Sequence, residues 1–276
     1  MRFTLEYRRS LETCSKIYAH IRDRMDGKPF GFELTLDELP KQSGSDLLYY
    51  LLEWRRMGGH ADFVTPNIGF RKRADFQGDL LALRRQLSYL AALAHGCGAL
   101  PSIHSGSGSS PYTGKGRGVF QAVAEATGGA AKYKISGIYY ELLIDLLAKS
   151  KVSRHRRLVR RILDDVSSFW EDQISRGAAL ADTTVRNMFQ SYKQRLKTKP
   201  NALSRSRSEF LRHYSYIALN LRGDNGRRYI KDELLNLYAN DDKLRKRVDK
   251  EVERMTLRLI DGMRFADNLS HISQPE

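Results

Sequence analysis

The chain has 276 residues, with 47 Lys and Arg against 32 Asp and Glu, which gives a formal net charge of +15. A hydrophobic fraction of 41% with 10% aromatic residues is enough for one large domain or two small ones, and it excludes whole-chain disorder and the collagen-like and mucin-like classes. Cys14 and Cys97 stand far apart in no C-x-x-C spacing, so neither a disulfide framework nor a cysteine-rich zinc module is available, and a reducing, cytoplasmic setting fits. The N-terminus lacks an apolar signal core. The longest apolar-leaning stretch, Leu87 to Leu100, is broken by His95 and Gly96 and is too short to span a bilayer, so a soluble chain without membrane contact is expected.

In chain order, Leu5 to Met25 has amphipathic helical spacing and is stopped by Gly27 and Pro29. From 30 to 38 the sequence FGFELTLDE alternates with period two and predicts a strand. Ser45 to Met57 reads as a helix, Ala61 to Val64 as a strand, Gly78 to Ala94 as a helix with a leucine stripe, Leu100 to His104 as a strand, and Lys132 to Ile135 as a further strand. Alternation of this kind predicts β-α-β units and a parallel sheet, hence an α/β N-terminal half. After Ile138 every periodic segment is helical: 138–149, 154–174, 183–196, 209–221, 230–238 and 243–263. The expected organisation is an active-site region at 1–150, a helical region at 151–270 and a flexible tail at 271–276. Thr198 to Ser208 is the most loop-like stretch.

In a parallel α/β sheet, reactive groups gather where strands run into loops. Glu33 is a carboxylate within an apolar strand, which costs free energy unless it is paired or ligating. His104 ends the third strand candidate and is followed by the Ser/Gly-rich run 105–110, whose backbone N–H groups suit an anionic or polyhydroxylated ligand, as they would suit a plain turn. Lys134 lies in the fourth strand candidate. Asp79, directly before the leucine-rich helix, has the commoner alternative of a helix cap. His213 taken alone is a helix-packing or surface histidine.

Four ordered segments, FGFELTLDE (30–38), TPNIGFRKRADFQGDL (65–80), PSIHSGS (101–107) and KYKISG (132–137), resemble the tagaturonate/fructuronate epimerases, bacterial hexuronate enzymes of TIM-barrel type. The resemblance covers residues 5 to 150 well and continues weakly to Arg212-His213-Tyr214-Ser215. The pattern departs after SIHSGS, where the family has Asp-Lys-Phe and this chain has Gly108-Ser109-Ser110, and at Lys132, where the family has His. The family's long N-terminal section is not matched. The fold expected from the resemblance is therefore α/β, with the parallel βα units of an incomplete TIM-like barrel followed by an all-helical C-terminal region. Either a second chain or a homo-oligomer completes the barrel, or the sheet stays open.

The resemblance implies a metal-dependent epimerase acting on a ketouronate or related sugar acid by retro-aldol cleavage and re-addition. In that scheme a divalent ion (Zn, Mn or Ni) sits on Asp79, His104 and His213, with Asp37, Glu38 and Asp75 as reserve ligands. Glu33 is the general base and Lys134 the cation for the oxyanion, while Asn67, Arg71, Lys72, Ser105 and Ser107 hold the uronate. Two alternatives stand beside this reading. One is a non-catalytic or partner-dependent half-barrel subunit. The other is nucleic-acid binding, on the strength of Arg154–Arg161, Arg205–Arg207 and Arg245–Lys250, although nearby acids can pair with these clusters and no recognition motif accompanies them.

Overall fold

The computed structural model describes residues 2–37, 44–135, 137–198, 201 and 205–266, with backbone only for 2–6. Glu38, the tail at 271–276 and part of the 198–208 loop lie outside the described residues. The chain forms two compact units: Met1–Gly108, Thr113–Ile135 and Arg258–Glu276 make the first, and Ser109–Tyr112 with Ser136–Leu257 make the second.

The first unit alternates helix and strand: α1 (Arg2–Met25), β1 (Glu33–Thr35), α2 (Gly44–Arg56), β2 (Phe63–Thr65), α3 (Leu80–Gly96), β3 (Leu100–Ile103), α4 (Val119–Thr127) and β4 (Lys132–Tyr133). The strands form a parallel sheet in the order β1-β2-β3-β4, each beside its predecessor, with Glu33 opposite Phe63, Phe63 opposite Leu100 and Ser102 opposite Lys132. The expected α/β architecture is present, with strands shorter than period-two alternation indicated. Helix α4 was not anticipated, because glycines at 114, 116 and 118 and again at 128 and 129 give its surroundings the texture of a loop.

Strand alternation sorts side chains by face. Leu34, Val64, Ile103 and Tyr133 belong to the buried apolar cluster, together with Leu47, Leu51 and Trp54 of α2 and Leu83, Leu87 and Leu90 of α3. Phe32 stacks on Trp54 with ring centroids 5.5 Å apart and planes 7° apart, and Tyr18 meets both edge-on. These rings anchor α1, α2 and the entry to β1 as one block. The alternate positions, Glu33, Phe63, Thr65, Ser102 and Lys132, are left for the opposite, polar face.

The second unit contains α5 (Ile138–Ala148), α6 (Ser153–Ser175), α7 (Thr183–Thr198), α8 (Glu209–Tyr214), a 3-10 turn (Ser215–Asn220), α9 (Tyr229–Asn240) and α10 (Asp242–Met263), whose residues from Arg258 count with the first unit. The helix expected at 209–221 is thus divided, tightening into 3-10 geometry after Tyr214. Its core joins Val159, Ile162, Leu163 and Val166 of α6 with an aromatic cluster of Trp170, Phe189, Tyr192, Phe210 and Tyr214. No described helix is long and apolar enough to cross a membrane.

Candidate active site

The polar face of the sheet brings together residues from all four strand regions. Glu33 Oε1 accepts a hydrogen bond from Thr65 Oγ1 at 2.7 Å and lies 3.1 Å from His104 Nε2. Its other oxygen accepts from Lys132 Nζ at 2.7 Å. On the far side of the imidazole, His104 Nδ1 faces Asp37 Oδ2 at 3.4 Å. The result is a connected row of side chains, Asp37–His104–Glu33–Lys132, and the Lys132 ammonium also lies over the Phe63 ring at 5.2 Å.

The electrostatics follow from partial burial. Desolvation opposes the charged form of Glu33, but Lys132, with the Ser102 and Thr65 hydroxyls, outweighs it and holds the carboxyl down to about 2. Glu33 is therefore a carboxylate throughout the neutral range. The His104 imidazole thus has a carboxylate oxygen facing each of its ring nitrogens. Asp37 Oδ1 is buried and has no hydrogen-bond partner among the described residues, so it is an acceptor available in the cluster.

The other expected residues fall in five places. Asp79 caps α3, its Oδ1 accepting from Ala82 N at 2.6 Å, and Asn67 Oδ1 accepts from Gly69 N at 2.9 Å. Arg71 and Lys72 are exposed on the loop after β2. Ser105 and the buried Ser107 follow His104, and Ser105 has the left-handed φ of 56°. Lys134 is exposed; its backbone, not its ammonium, joins the sheet end, with its N–H donating to Ile103 O and its carbonyl accepting from Gly106 N. His213 belongs to the second unit, where its Nδ1 lies 2.9 Å from Glu209 O.

A metal centre needs three or more converging donors with free lone pairs. Asp79 is committed to a helix cap and both nitrogens of His104 face carboxylates. Among the described residues no group of three or more His, Cys, Asp or Glu is placed to hold a metal ion. As arranged among the described residues, this donor set does not fit a metal ion.

Three residues escaped the sequence reading. Lys132, not Lys134, supplies the ammonium, although period-two spacing put both on the same face. Thr65, the last residue of β2, gave no signal beyond its place at a strand end. Lys115 lies inside the unusual Gly114-Lys115-Gly116 run and is fully buried.

Fold and site define an α/β protein with a carboxylate–imidazole–ammonium cluster on the polar face of a parallel sheet. The chain belongs to the tagaturonate epimerase family, UxaE, whose model matches residues 1–259. The fold is also that of crystal structures of the fructuronate-tagaturonate epimerase UxaE from Cohnella laeviribosi. The form complexed with two glycerols has a TM-score of 0.65 at 20% identity, covering 95% of this chain and 51% of that one. The native form gives a TM-score of 0.64 with the same identity and coverage. This chain thus spans about half the length of those structures. No curated protein matches it.

Proposed function

We propose that this chain acts as a carbohydrate epimerase on a ketouronate, interconverting tagaturonate and fructuronate. The observation that carries the reading is the Asp37–His104–Glu33–Lys132 cluster, found at the strand ends of a chain that belongs to the tagaturonate epimerase family. The free thiols Cys14 and Cys97 support a cytoplasmic setting.

The two sugar acids differ at a carbinol carbon one position beyond the carbon adjacent to the ketone. That C–H is not acidified by the carbonyl, so simple enolisation does not invert it. Retro-aldol cleavage does. The hydroxyl on the inverted carbon gives up its proton, the bond between that carbon and its neighbour breaks, and an aldehyde and an enediolate form. Rotation of the aldehyde and re-addition to its other face rebuild the bond, and the proton returns, so no atom or electron is gained or lost.

A general base works best with a pKa near the working pH, and Glu33 lies far below it. Glu33 is therefore assigned the orientation of the His104 imidazole and the Lys132 ammonium. These stabilise the enediolate oxygen, the kind of preorganised charge that contributes most in a partly dehydrated site. Asp37, through Oδ1, which has no partner among the described residues, is the acceptor for the hydroxyl proton. Arg71 and Lys72, with the serine loop after His104, are the anchors proposed for the uronate carboxylate.

The test is tagaturonate-to-fructuronate conversion by the purified chain, alone and with added Zn, Mn or Ni. The expected result is turnover that falls on the order of 100-fold in His104→Ala and in Asp37→Asn. Unchanged turnover in both variants would overturn the assignment, and metal-dependent turnover with metal content lost in His104→Ala would replace it with a metal-centred mechanism.

A second reading is favoured by one observation: β1 and β4 end the strand order, so each has one edge unpaired among the described residues. Strands from a second copy or a partner chain would continue the sheet there. In that case turnover appears only in an oligomer or a reconstituted complex, which light scattering on active fractions decides.

A further inference from the structure

Lys115 is 0% exposed, and its Nζ donates to Arg71 O and Ser105 O, each at 2.6 Å. The ammonium also lies 4.8 Å from the centre of the Phe70 ring, and the Lys115 carbonyl accepts from Phe76 N at 2.7 Å. One residue therefore joins the loop that follows β2 to the loop that follows β3. We propose that Lys115 is a positioning residue, a buried clamp that fixes both loops and through them the placement of His104 and the Arg71 segment.

Backbone geometry supports the clamp independently. Five non-glycine residues have positive φ among the described ones, and three of them, Arg73 (55°), Ser105 (56°) and Lys115 (74°), lie in these loops. Non-glycine residues persist in that region when their surroundings over-determine them. Ser105 is the residue directly after His104, and its carbonyl is turned onto the lysine. The path to Lys115 is equally constrained, since Gly114, Gly116 and Gly118 all have positive φ. A side chain on Gly108 would collide with Thr113 and Asp75, so the loop is closely packed.

Burying an ammonium is costly, and burial pushes the Lys115 amine down to about 8 while the Asp75 charge pulls it partly back. An amine of that kind also has the chemistry of an imine-forming nucleophile. Here both carbonyl bonds and complete burial point it into the protein, which favours the clamp.

The effect on turnover rests on the epimerase reading above; the effect on the loops does not. The experiment compares wild type, Lys115→Ala and Lys115→Met by hydrogen exchange at the Phe76 and Gly106 amides and by steady-state kinetics. Lys115→Met serves where the alanine variant is too unstable. Cooperative melting is expected, with exchange at both amides at least tenfold faster and kcat/KM at least tenfold lower. Ethylammonium restores protection and kcat/KM in Lys115→Ala but not in Lys115→Met, whose side chain fills the space, whereas tetramethylammonium, which has no N–H, restores neither. Unchanged exchange in both variants, or no rescue by ethylammonium, overturns the clamp. So does borohydride trapping of a Lys115 imine, formed from the amine and the substrate ketone with loss of water. If wild type fails to turn over ketouronates while the exchange results hold, the epimerase reading fails and the clamp stands.

Discussion

Glu33 shows how one half-buried charge organises a site. A carboxylate in an apolar strand is tolerated because Lys132 and Thr65 compensate it, so removing the ammonium should be felt first at the carboxyl. In Lys132→Met the Glu33 carboxyl is expected to rise from about 2 toward or above its ordinary range, read by carboxyl carbon NMR titration. Turnover should fall on the order of 100-fold in the same variant. The stability consequence has a definite sign. A carboxyl held below its unfolded value stabilises the fold fully above that value, and the contribution is lost as the pH falls toward about 2. In Lys132→Met that gain is absent, so its acid unfolding midpoint should move to higher pH than that of wild type.

At the scale of elements, short strands and the junctions between helices divide the work. Asp241 ends α9 and starts α10: its Oδ1 accepts from Leu244 N at 2.9 Å, while Oδ2 meets Arg154 at 2.6 Å and His155 at 3.1 Å on α6. The Leu244 N–H and then the Arg154 guanidinium hold its carboxyl down to about 2. Asp241→Ala should cost about 1–2 kcal/mol at neutral pH. The difference from wild type, measured by chemical denaturation, should close as the pH falls from about 4 to about 2. Gly106 tests a tighter place, since a methyl group there would strike the Tyr133 ring and the Lys134 carbonyl. Gly106→Ala should lower stability by about 1–3 kcal/mol and shift the melting temperature accordingly. These elements also show what a sequence discloses. The long helices were legible because their apolar period persists over many residues, and Glu33 and His104 because charge inside or directly after an apolar strand needs a reason. Helix α4 was hidden by flanking glycines. Lys132 resembled a solvated strand start, and the use of Asp79 as a cap was one of two readings that spacing alone could not separate.

For the molecule as a whole, the net charge of +15 is less available than it looks. In the second unit Arg154 pairs with Asp241, Arg161 with Glu233, Arg205 with Asp164, Arg207 with Asp145 and Arg245 with Asp242. Five arginines of the basic clusters that invited a nucleic-acid reading thus face acids, and affinity for duplex DNA should be weak and lost by about 200 mM salt. Fluorescence anisotropy across a salt series would show this, and tight, salt-resistant binding would contradict it. The two outer strands, β1 and β4, make assembly the complementary question, answered by the mass of the active species.

The alternation that separates Leu34 from Glu33 and Tyr133 from Lys132 has a consequence for how such a protein can change. Core and chemistry are written on the same few residues and told apart only by parity. A substitution at any one of them alters either packing or reactivity, whereas deletion of a single residue within a strand would exchange the two roles along its length. Diversification of this scaffold, in nature or in a library, should therefore proceed by side-chain exchange on the polar face, charge partners together, and be strict in strand length, with insertions confined to the loops.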